Sequence, residues 1–186
     1  MKRTIILIIG LVFAGLVGNI VYTMITTKSH SPETVARYSK NNTTITVKYC
    51  QPYKKGRLLF GNPGSEALEF YGLPWRTGAN EATEISTTQD LKFDNHILKA
   101  GNYSLYSIPN EKEWTIIFNT KTGYWGKSFF GSPFDTTKDV FRVTAPRLKN
   151  DENVEQFTIN FVETENTLAL QLLWGEVKVD VPFDIL

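Results

Sequence analysis

Residues 176–185 read EVKVDVPFDI. Val177, Val179, Val181, Phe183 and Ile185 alternate there with Lys178, Asp180, Pro182 and Asp184. A period of two sends the apolar set to one face of an extended strand and the polar set to the other, as in a half-buried antiparallel strand. Pro182 has no N–H to give a ladder, so it predicts a local sheet edge.

The same period recurs along most of the chain. TLALQLLW at 167–174 sets Leu168, Leu170, Leu172 and Trp174 on one side, and EWTIIFN at 113–119 does so with Trp114, Ile116 and Phe118. TTITVKYC (43–50), NYSLYSI (102–108), DVFRVTA (139–145) and QFTINFV (156–162) repeat it. IPNEKE (108–113), ETEN (163–166) and the Gly175-Glu176 pair supply turn residues between these runs, and FDNHILKAG reads as a turn around His96. No window after Lys28 carries a helical period. The expected fold is all-β: an antiparallel β-sandwich or barrel-like domain over residues 35–186.

Ahead of it lies TIILIIGLVFAGLVGNIVYTMITT, an uncharged run over residues 4–27. As a helix rising about 1.5 Å per residue it exceeds the ~30 Å hydrocarbon core of a bilayer. Lys2 and Arg3 precede it, which predicts a cytoplasmic N-terminus and a domain in the periplasm or outside the cell. A cleaved signal peptide is the rival reading. The run continues past the usual h-region length of roughly 7–15 residues, which favours an uncleaved anchor over residues 1–27. KSHSPET at 28–34 reads as a polar linker.

Composition narrows the function classes. The net charge is +1, and without Lys2 and Arg3 the basic residues fall one short of the 19 acidic ones. Such a chain lacks the clustered cations that neutralise phosphates, which argues against nucleic acid as a partner. Two histidines and one cysteine, far apart, offer no metal-ligand spacing, and no cofactor motif appears. Cys50 has no histidine near it in sequence and reads as an inert, buried or half-buried thiol. Neither a G-x-S-x-G elbow nor a P-loop occurs.

WRTGANEATE at 75–84 is the stretch where chemistry is most concentrated. It reads as strand, corner, strand, with Gly78 and Asn80 suited to positive φ. In one reading it is a structural corner, with Trp75 in the core, Arg76 paired with Glu81, and Thr77 and Asn80 tying down backbone. In the other, Arg76, Asn80 and Glu81 line a pocket and orient a polar ligand. Glu81 and Glu84 are an odd number apart and so face opposite ways, which leaves Glu81 without a carboxylate partner nearby in sequence.

The chain resembles the bacterial family called domain of unknown function 2911. The resemblance is carried by SPETV (31–35), KGRLLFG (55–61), YGLPWRTGANEAT (71–83), AGNYSLYSIPNEKEWTIIFN (100–119), WG (125–126), DVFRV (139–143) and LLWGEVKVDVPFDI (172–185). It implies an exported or membrane-attached protein and adds Arg57 of the K-G-R element to the candidates. Cys50-Gln51 stand before Pro52 where the family pattern has Ser-Arg.

Two function classes follow. The first is a membrane-anchored module binding a polar ligand or a protein through Trp75, Arg76, Thr77, Asn80, Glu81, Arg57 and Trp125, with Trp125 as a stacking surface. The second is a carboxylate-dependent hydrolase using Glu81 as a general acid oriented by Arg76. The two differ in whether Glu81 is desolvated and protonated or ionised against a cation.

Overall fold

A computed structural model describes residues 2–125, 133–164 and 167–186. Gly126 of the WG motif and Glu165 and Asn166 of the ETEN turn lie outside the described residues.

Helix α1 spans Lys2–His30, and its stretch Ile6–His30 is long and apolar enough to cross a membrane. It takes in Lys28, Ser29 and His30, which the sequence reading placed in a linker. Pro32 then bars helical geometry at Ser31, and strand begins at Glu33.

Among the described residues, all other regular structure but one short 3-10 turn is β. Strands β1 (Glu33–Lys40) and β2 (Thr43–Cys50) form a hairpin whose loop holds Asn41 at φ 53. Two short strands, β3 (Phe60–Gly61) and β4 (Glu69–Phe70), pair in parallel apart from the main sheet. Then come β5 (Thr83–Thr87), β6 (Leu91–Phe93), β7 (His96–Leu98), β8 (Gly101–Ile108), β9 (Glu113–Asn119), β10 (Asp139–Glu163) and β11 (Leu168–Ile185). The main sheet runs β1-β2-β5-β8-β9-β10-β11-β6-β7. Its neighbours are antiparallel throughout, as the alternation predicts, and the ladder does not close into a barrel.

Three local expectations are corrected. DVFRVTA and QFTINFV belong to one strand, β10, whose first part pairs with β9 and whose remainder pairs with β11 across two register shifts. Gly175-Glu176 is no turn: β11 passes straight through it, with Gly175 at φ 59 opposite Val154 in a bulge. A Cβ on Gly175 would lie 2.7 Å from Leu59 Cδ1, so glycine there meets both the dihedral and the close approach. His96 is the first residue of β7, just after the turn at Asp94-Asn95, and its ring, though exposed, stacks on Phe141 at 5.0 Å. Pro182 lies between Val179 and Asp184, where the ladder to β10 stops and the ladder to β6 starts, a gap that asks it for no N–H.

One continuous core draws side chains from every strand beyond β1 except β4, so the sheet curls around it. Its centre is aromatic. Trp75 stacks on Trp174 at 5.8 Å, and Phe60 sets its edge against Trp114 at 4.9 Å. Such contacts add about 0.5–1.5 kcal/mol per pair beyond the area they bury. The segment after β2 then lies along the middle of β10: Lys54 N donates to Glu155 O at 2.7 Å and Phe157 N to Pro52 O at 2.9 Å. That seam carries the K-G-R element to the same side of the core as residues 75–81.

Candidate functional site

The corner is tied from both ends. Trp75 exchanges two backbone hydrogen bonds with Ser107 at the end of β8, at 2.7 and 2.8 Å, and its indole N–H donates to Gly78 O at 3.0 Å. Between these anchors the chain takes unusual dihedrals, Thr77 at φ 56 and Asn80 at φ 58. A β-branched residue in the left-handed region costs on the order of 1–3 kcal/mol unless its surroundings fix it. Thr77 is fully buried, its hydroxyl donates to Ser107 Oγ at 2.9 Å, and its carbonyl accepts from Thr83 Oγ1 at 2.8 Å. Gly78 closes against β2: a Cβ there would meet the Cys50 carbonyl oxygen at 3.0 Å. Trp75 and Thr77 are buried and hydrogen-bonded within the corner, and neither lines the cavity beside it.

Turning the chain this way aims Arg76 and Asn80 away from the aromatic centre. Both line a cavity of about 820 Å³ between the corner, the K-G-R element and the C-terminal part of α1. Asn80 Nδ2 donates to Ser31 O at 3.3 Å, which fixes the end of the helix against the corner. Arg57 lines the cavity while its guanidinium donates to the Tyr53 and Lys54 carbonyls. Trp125, 39% exposed and bridged to the backbone of Glu81, forms another part of the wall.

Arg76 is the least satisfied of these groups. One guanidinium nitrogen donates to Asn80 O at 3.2 Å, and its buried Nε–H has no partner. No carboxylate among the described residues lies within salt-bridge distance of it. Burial pushes the Arg76 pKa down, and the charge of Glu69 only partly offsets this. Trp174, buried in the aromatic centre, also lines the cavity and also has an indole N–H without a partner.

The Arg76–Glu81 pair expected from sequence does not form. Glu81 instead bonds Lys28 of the helix at 2.9 Å, with Glu33 on the same ammonium at 3.6 Å, and accepts from Cys50 Sγ at 3.3 Å. With the chain turning through Asn80 at φ 58, Arg76 lines the cavity while Glu81, which does not, reaches Lys28. Burial pushes the Glu81 carboxyl up, but hydrogen bonds from Lys28, its own backbone N–H and Cys50, with the Lys28 charge, hold it below the usual range. It is ionised, not the protonated acid a hydrolase reading needs. Glu84 points elsewhere and accepts from Gly123 N at 2.7 Å, as the odd spacing implies. Burial and the Glu81 carboxylate push the Cys50 thiol up, away from reactivity. Among the described residues no cluster of His, Cys, Asp and Glu is placed to hold a metal.

Sequence reasoning missed three contributors. Trp174 carries only a core signal, and its unpartnered N–H is invisible without coordinates. His30 and Lys55 meet at 3.3 Å across the cavity mouth, a contact that depends on the helix running on to His30.

Neither a curated protein nor a solved structure matches the chain. One family model does, over residues 31–183, a span that holds the corner, the K-G-R element, Trp125 and Trp174 but none of the helix. The chain belongs to the family described as "Protein of unknown function (DUF2911)".

Proposed function

We propose that this protein is a membrane-anchored, extracytoplasmic β domain that binds a polar ligand in the cavity beside residues 75–81. The reading rests on one observation: Arg76 is a largely buried cation with an unpartnered N–H and no carboxylate at salt-bridge distance among the described residues, and it lines a cavity of ligand size. Leaving a buried charge uncompensated is costly, so folds usually supply the counter-ion, and where they do not an exogenous acceptor gains the most. Asn80 adds an amide beside it and Trp125 an apolar surface. The uncharged helix after Lys2 and Arg3 supports an anchor with the domain on the far side of the membrane.

The test is thermal denaturation of the full chain in phosphatidylcholine nanodiscs against a panel of glycans, carboxylated peptides and small organic acids. A ligand that raises the melting temperature of wild type but not of Arg76→Gln or Asn80→Ala supports the site. If every compound acts equally on wild type and variants, or none acts, the cavity is not where this domain binds.

A further inference from the structure

We infer that the cavity takes the anionic head of a membrane amphiphile, with part of its hydrocarbon chain drawn along the helix. The inference rests on the binding reading above and adds the chemistry of the ligand.

Three observations carry it. The first is charge: Lys55, Arg57 and Arg76 line the cavity against a single carboxylate, Glu69, among the described lining residues. A site with an excess of cations and a guanidinium still owed an acceptor favours a carboxylate or phosphate. The second is depth. Helix residues from Asn19 to His30 line the cavity, a stretch of roughly 17 Å at 1.5 Å per residue. The whole helix, at 29 residues, is longer than the ~20 that cross the hydrocarbon. With Lys2 and Arg3 held at the opposite surface, the hydrocarbon ends near Thr23, and the turns beyond it stand among the lipid headgroups. Threonines and His30 take over there, and the cavity runs from acyl depth to headgroup depth. The third is the wall. Ile20, Leu68, Pro52 and Trp125 give it apolar surface, whereas a soluble anion needs only the basic end.

The basic end is also fixed in place. Lys55 meets His30, Asn80 holds Ser31, and Glu81 holds Lys28, so the domain is clamped to the helix where the headgroups lie. An anionic lipid entering from the outer leaflet would place its head beside Arg76 and Lys55 without leaving the bilayer.

Dibrominated lipids test this, because bromine quenches tryptophan only at short range and Trp174 lines the cavity in contact with Trp75. The full chain is placed in phosphatidylcholine nanodiscs containing a minor fraction of dibrominated phosphatidylglycerol or, in the control, dibrominated phosphatidylcholine. The expected result is quenching several-fold stronger with the brominated anionic lipid, reduced towards the control in Arg76→Gln. Lys55→Glu, a surface change that leaves the core alone, reduces it too. Equal quenching by both lipids, or none, overturns the inference. A parallel arm adds inorganic phosphate or acetate to unbrominated discs and follows the melting temperature. Stabilisation there without lipid-specific quenching keeps the polar-ligand reading and removes the amphiphile. No response in either arm removes both.

Discussion

Arg142 and Arg76 receive opposite treatment from the same fold. Arg142 grips Asp139 with two guanidinium nitrogens, at 3.2 and 2.8 Å to Oδ2. The other carboxylate oxygen accepts from Tyr106 Oη at 2.7 Å and Asn119 Nδ2 at 2.8 Å. Burial, and then the Asp139 carboxylate, push the Tyr106 phenol up, so it stays a donor at any physiological pH. Every group in that knot has a partner supplied by the chain. Arg76 has one carbonyl and an unmet Nε–H, and it lines a cavity. An unmet donor alone would teach little, since Trp114 Nε1 lacks a partner too and does not line that cavity. What sets Arg76 apart is full charge, burial and an open volume in one place.

The comparison breaks most visibly at Asp139. Asp139→Ala leaves Tyr106, Asn119 and Arg142 without their shared acceptor. Arg142 is half-exposed, but Tyr106 and Asn119 are buried, and leaving their donors unmet costs about 3 kcal/mol. Urea denaturation followed by tryptophan fluorescence measures it as a fall in midpoint with an unchanged slope. A loss under about 1 kcal/mol would mean the knot is ornamental and the contrast with Arg76 empty.

Arg76→Met sharpens the contrast from the other side. Methionine keeps much of the apolar stem and removes a charge the fold does not neutralise, so stability without ligand stays within about 1 kcal/mol of wild type. The same urea titration reads it. A loss comparable to that of Asp139→Ala would show that Arg76 is already fully partnered, and the binding proposal would lose its support.

How much of this was legible beforehand differs between the two regions. The alternation in EVKVDVPFDI predicts which face of β11 is buried, because a one-residue slip would expose the whole apolar set. In EWTIIFN it does so only in part, since Ile117 on the opposite face is as buried as Ile116. Asn80 was legible as a corner residue, since a short polar side chain suits a position where the backbone must turn. The left-handed Thr77 was not, because β-branched residues rarely take positive φ. The length of β10 and β11 was not: a glycine followed by glutamate has turn composition, and only Leu59 packing over Gly175 makes it a bulge inside a strand. The partner of Glu81 was not legible either. Sequence proximity favoured Arg76, but one left-handed residue redirects the chain, and a lysine on the preceding helix takes its place. Long-range ion pairs carry no periodic signal, so a local reading finds the nearest opposite charge instead.

That substitution of partners yields the smallest effect and a distinctive one. Glu81 is 37% exposed on its side chain, so solvent and salt screen its bond to Lys28, and Glu81→Gln lowers the melting temperature only slightly at neutral pH. The pH dependence is the informative part. A carboxyl whose folded pKa lies below its unfolded value stabilises the protein above the free glutamate value of about 4.3 and loses that contribution as pH falls through the lower, folded one. The melting-temperature gap between wild type and Glu81→Gln should therefore hold steady from neutral pH to about 5 and close below about 4. Added salt should narrow it at neutral pH, because the ion pair is near the surface. A gap that changes sign near neutrality would mean the carboxyl is protonated there, with burial outweighing Lys28. The corner would then hold a raised acid beside an open cavity, and hydrolysis would return as the better account of what Arg76 waits for.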